Sequence, residues 1–184
     1  MWLAPASPAF AVPSSSQVTL PFTGLLYPSG VAVDSRGEVV VADTDNARVV
    51  ELPRGSARQV TLPFTGLSNP WQVAVDPAGD VFVTDNANDP VVELPRGSTR
   101  QVTLPFTGLP FPFGVAVDRR GDVFVADTGH NRVLELPHGS VSPVTLPFTG
   151  LVLPRQVAVD SAGDVFVADT INSRVVELPH GAVR

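Results

Sequence analysis

The chain has 184 residues, about one domain's worth, with a formal net charge of −6 and twelve basic residues, all of them arginine and spread over the four repeats rather than gathered in one run. This balance repels polyanions and sets nucleic acid aside as a partner. The lack of cysteine excludes disulfides and thiolate metal sites, and no apolar run reaches the ~18–20 residues of a membrane helix.

Residues 1–16 (MWLAPASPAFAVPSSS) have no basic start and no continuous apolar stretch, so they read as a flexible Pro/Ser/Ala-rich lead-in rather than a signal peptide. Residues 10–13 also resemble the worn tail of a further repeat. From residue 17 the chain says nearly the same thing four times, in units of 42 residues: 17–58, 59–100, 101–142 and 143–184. A period of that length means units that bury their apolar faces only by stacking on one another.

Within the first unit the apolar residues recur at spacing two, which predicts strands rather than helices. Residues 31–33 (VAV) form a short inner strand. Asp34-Ser35-Arg36-Gly37 turns the chain, Asp accepting backbone N–H groups and Gly supplying positive φ. Residues 39–41 (VVV) make a second strand and 49–52 (VVEL) a third, in which Glu51 and its counterparts Glu93, Glu135 and Glu177 point to solvent. After the Pro53-Arg54-Gly55 turn, residues 59–64 make an outer strand, and Pro63 confines it to a sheet edge. The unit is thus a four-stranded antiparallel meander, and four such units predict an all-β fold, a β-propeller of four blades.

The motif V-A-V-D-x-x-G-D-V-F-V-A-D-T-x-x-N-R-V, clearest at 115–133, resembles the NHL repeat. The added T-L-P-F-T-G-L segment resembles, more narrowly, the extracellular sensor propeller of actinobacterial receptor-type Ser/Thr kinases of the PknD kind. The resemblance spans residues 17–184 and implies a binding or sensor role with a protein, peptide or cell-envelope ligand, outside the cytoplasm if the kinase-sensor likeness holds. Two departures stand out: the second repeat has Asp89-Pro90 where the others have Arg48, Arg132 and Arg174, and propellers of this family usually close with six blades. The chain enters on an outer-type strand (18–22) and leaves after a third-type strand (175–178). Residues 17–22 are therefore expected to complete the fourth blade, within the chain or from a neighbour, which makes homo-oligomerisation a route to ring closure.

The copies diverge mainly in the outer-to-inner and second-to-third loops, which strand order places on one face. That face gathers Tyr27, Trp71, Phe111, Phe113, His130 and Arg155, residue types that anchor interfaces or plug gaps between blades. Asp85, lacking the arginine found in the other repeats, is expected to be a free carboxylate on the same face. Asp34, Asp76, Asp118 and Asp160 end the inner strands. They either cap their own turns or hold a hard cation on the axis, the one cofactor the residues suggest. His138 and His180 lie on the face opposite His130, so no three-histidine site forms. No catalytic constellation and no kinase motif is present. The expected function is a non-catalytic binding module. The alternatives are a propeller lyase or lactonase with an axial metal, and an incomplete set of blades that needs more repeats or a second chain.

Overall fold

The structure, a computed structural model, describes residues 17–88 and 90–182, so the lead-in and Asp89 lie outside the described residues. The first blade comprises β1 (Pro28–Val33), β2 (Val39–Asp43), β3 (Arg48–Leu52) and β4 (Val60–Thr61). The second holds β5 (Pro70–Val75), β6 (Val81–Asp85), β7 (Val91–Leu94) and β8 (Val102–Thr103), and the third β9 (Pro112–Val117), β10 (Val123–Asp127), β11 (Arg132–Leu136) and β12 (Val144–Thr145). The fourth consists of β13 (Pro154–Val159), β14 (Val165–Asp169) and β15 (Arg174–Leu178). Among the described residues each sheet is an antiparallel meander in chain order, three of them four-stranded and the last three-stranded. No helix among the described residues is long and apolar enough to cross a membrane.

Repetition of one residue pattern produces one repeated register. Val41 sits opposite both Val31 and Val50, and a bulge between Pro28 and Gly30 lets the inner strand start on a proline. Proline is acceptable at a strand's first residue because no ladder donor is needed there. The outer strands are shorter than the 59–64 expectation. Leu62 N–H still reaches Val49 O at 2.9 Å, but Pro63 has no N–H to extend the ladder.

The core lies between blades rather than within them. Val40, Ala42 and Val49 of the first blade pack on Val73, Val81, Val83 and Val92 of the second. Equivalent layers join the second blade to the third and the third to the fourth. Each fully buried valine contributes on the order of 1.5–3 kcal/mol. The third-strand glutamates correct one expectation: Glu135 is wholly buried, Glu51 and Glu93 half-buried, and of the four only Glu177 is exposed.

The blades form an arc. Inner strands β1, β5, β9 and β13 pack in sequence, but the first and last share no such interface. Residues 17–22 do not complete the fourth blade within the chain. They form no strand, Val18 is 78% exposed, and the Thr23 backbone is instead tied to the Gln59 amide at 2.8 and 3.0 Å.

Candidate functional site

The loops on the divergent face are mounted on a clamp around a buried aspartate, built alike in the first and fourth blades. In the first blade Asp43 Oδ1 accepts Leu26 N–H at 2.6 Å, while Oδ2 accepts Asn46 Nδ2 at 2.8 Å and Arg48 Nε at 2.6 Å. Asn46 and Arg48 also donate to Gly24 O, so the base of the crossover loop is held through its backbone. Burial pushes the Asp43 carboxyl up, but the Leu26 N–H, the Asn46 amide and the Arg48 guanidinium outweigh it and leave the pKa below the usual 3.8. Asp169 is held low against the same opposing burial by Val152 N–H, Asn172 and Arg174.

Two blades depart from this clamp. Where Pro90 replaces the arginine, Asp85 takes a second backbone donor: Asn69 N–H binds Oδ1 at 2.7 Å, and Ser68 N–H and Asn88 Nδ2 bind Oδ2 at 2.9 and 2.7 Å. Asp85 is 1% exposed, so the expectation of a free, ligand-facing carboxylate is wrong. It is a buried loop anchor. In the third blade His130 replaces the asparagine and Pro110 stands at the Leu26 position. Asp127 Oδ2 accepts Arg132 Nε at 2.7 Å and lies 3.0 Å from His130 Nδ1. Proline supplies no N–H, and Asp127 Oδ1 is left buried without a hydrogen-bond partner among the described residues. Comparing Leu26, Ser68, Pro110 and Val152 in the sequence would have exposed this gap.

Above the clamps the predicted aromatic residues meet in a row that follows the arc. Tyr27 lies 6.3 Å from Trp71, Trp71 packs edge-on against Phe113 at 4.9 Å, and the Arg155 guanidinium sits 5.3 Å over the Phe113 ring. Trp71, Phe113 and Arg155 occupy equivalent positions in successive blades, and Ser29 fills that position in the first, its hydroxyl donating to Trp71 O at 2.6 Å. Trp71 and Phe113 are half-buried, so they seal the gaps between blades and keep an open side. Tyr27 and Phe111, 62% and 58% exposed, project beyond the row.

Three loop tips share an unusual backbone. Tyr27, Phe111 and Leu153 have φ of 51°, 57° and 51°, a left-handed conformation that costs bulky residues on the order of 1–3 kcal/mol each. All three present apolar surface to solvent. Leu153 was missed in the sequence because positive φ has no signature in a residue whose neighbours are ordinary.

On the opposite face Asp34, Asp76, Asp118 and Asp160 line one cavity of ≈ 400 Å³ at the axis. Each turns Oδ1 into its own loop: Arg36 and Glu38 N–H for Asp34, Gly79 and Asp80 N–H for Asp76, Arg120 and Asp122 N–H for Asp118. Asp160 accepts three such bonds, led by that from Asp164, which hold its pKa below the usual value against burial. Among the described residues no group of three His, Asp or Glu side chains is placed to hold a metal. His138 and His180 lie on this face, their backbone N–H groups bound to Asp122 and Asp164, and do not approach His130.

Two stretches match the NHL repeat. The family model covers residues 25–52 and 109–136, the crossover loop and first three strands of the first and third blades. No curated protein sequence matches the chain. Among solved structures the chain is similar to a propeller of the nidogen/laminin complex, with TM-score 0.75 and 21% identity, over 83% of this chain and 60% of that one. Streptogramin B lyase gives 0.67 and 17%, over 84% and 55%. Virginiamycin B lyase from Staphylococcus aureus gives 0.64 and 18%, over 84% and 57%. At these identities the likeness is one of fold. The chain spans a little over half the length of the structures it matches.

Proposed function

We propose that the chain is a non-catalytic NHL-type binding module, whose rim of Tyr27, Trp71, Phe111, Phe113, Leu153 and Arg155 takes a protein or peptide ligand. The observation that carries this reading is the pairing of exposure with strain. Tyr27, Phe111 and Leu153 hold apolar side chains in solvent on left-handed backbone, an arrangement that costs stability and gains nothing for the core. The stacked row behind them adds aromatic and guanidinium groups, the chemistry that anchors peptide interfaces. A propeller seen in the nidogen/laminin complex is in keeping with such use. The T-L-P-F-T-G-L segments, similar to those of kinase sensor propellers, support a sensor role, and an extracytoplasmic site goes with it.

Peptide display against the intact protein, counter-screened with Tyr27→Ala/Phe111→Ala/Arg155→Ala, tests the proposal. Selected peptides should bind the triple variant at least tenfold more weakly while its melting temperature holds or rises. Peptides that bind both forms equally would refute it. The competing reading is a lyase-like propeller with a cation at the axis, favoured by the four carboxylates around one cavity. Stoichiometric calcium or zinc in the purified protein would support that reading instead.

A further inference from the structure

The arc ends in the two halves of a joint that the fold builds three times internally. At the internal joints Thr44 Oγ1 donates to Pro70 O across the gap, and Thr128 Oγ1 to Pro154 O. Arg96 crosses from the second blade to Asp34 at 3.4 Å and Glu38 at 3.0 Å on the first. Val49, Val91 and Val133 on one side, and Val73, Val115 and Val157 on the other, are at most 6% exposed. Behind each joint the outer strand zips onto the third strand of the preceding blade.

Every one of these groups has an unused counterpart at the two ends. On the trailing flank Thr170 is exposed and its hydroxyl reaches only its own Ala168 O, at 3.5 Å; on the leading flank Pro28 is exposed. Asp160 and Asp164 stand where Asp34 and Glu38 stand, and Arg54 stands where Arg96 stands, with no ion pair among the described residues. Val175 is 71% and Val31 62% exposed. The sequence of β15, RVVEL, is identical to that of β3, and residues 17–22, QVTLPF, are identical to 59–64, the segment that pairs with β3. The inner-strand alternation also runs on unbroken: Gly30, Gln72, Gly114, Gln156, and then Gly30 again.

We infer that the occupant of both flanks is a second copy of this chain. The leading flank of each copy docks on the trailing flank of the other, and residues 17–22 of each supply the missing outer strand beside β15 of its partner. Two such joints close eight blades about a two-fold axis and remove both open edges. Apolar, charged and strand-pairing halves of one joint, all matched and all vacant, continue an interface already present in the molecule.

Light scattering after size exclusion should give twice the chain mass of 19.4 kDa. Arg54→Asp, at an exposed turn, and Asp164→Arg, at a half-buried turn residue that also accepts His180 N–H, should separately raise the dimer dissociation constant at least tenfold with unchanged β-sheet circular dichroism. The two together in one chain should restore the dimer. Deleting residues 17–22 should also yield monomer. A wild-type monomer at every concentration, leaving the flanks to other blades, overturns the inference. So does a dimer indifferent to all three changes.

Discussion

The joint between the first and second blades and the joint between the second and third are built from one repeat, yet they differ in closeness and in charge. Gly30 brings the first inner strand so near the second that a Cβ there would lie 2.7 Å from Trp71 O. Gln72 holds the same position at the next joint, where a full side chain fits. The turns differ in parallel. Arg96 bridges Asp34 and Glu38 at the first joint, whereas His138 takes its place at the second, near Asp76, Asp80 and Glu93 around a cavity of ≈ 440 Å³. A tight, cation-bridged joint beside a wider acidic one shows that blade geometry tolerates both, and that the repeat's apolar layer, common to the two, sets the stacking.

Breaking the tight joint should have the largest effect. Gly30→Ala sets a methyl against backbone atoms that cannot swing aside, and should lower stability by about 1–3 kcal/mol in denaturant titration. Gln72→Ala, the matching change at the wide joint, should cost visibly less. Next comes the bridge. Arg96→Ala strands Asp34 and Glu38, and should lower the melting temperature by an amount that shrinks as salt is raised. His138→Arg should do the reverse at the second joint, since arginine brings a permanent charge to three carboxylates.

The smallest effect is a pH dependence. Burial and neighbouring Asp80 and Asp76 push the Glu93 carboxyl above its usual 4.5, only partly offset by His138; burial and Glu38 push Glu51 up, with Arg96 opposing. A raised folded pKa contributes stability that is whole below 4.5 and lost as pH rises through the folded value. Glu93→Gln should therefore raise the melting temperature at pH 7 and leave it unchanged below about pH 4. Asp34 and Asp43, held below 3.8, act oppositely: their contribution is present above 3.8 and lost as pH falls through the lowered value. Acid melts of the wild type should show that loss.

The blades, their turns and the shared face of the divergent loops were legible because a 42-residue period, alternating valines and D-x-x-G turns are local signals. The aromatic row was legible as a set of residues, not as a chain of contacts. What escaped depends on neighbours the repeat does not name. Asp85 seemed free because its arginine is absent, but backbone N–H groups from a loop 16–17 residues away took both oxygens. Glu135 reads as a solvent-facing alternate, yet it is wholly buried. The openness of the arc depends on the angle between sheets, which no single unit encodes.

The clamps carry one consequence beyond anchoring. Asp43 and Asp169 grip the crossover loops through main-chain atoms of Leu26 and Val152, and Asn46 and Arg174 through the carbonyls of Gly24 and Gly150. The mount grips main-chain atoms, so the side chains of Tyr27, Asn69, Phe111 and Leu153 that ride on it form interchangeable tips. New recognition can be written there, by selection or by design, without renegotiating the scaffold beneath.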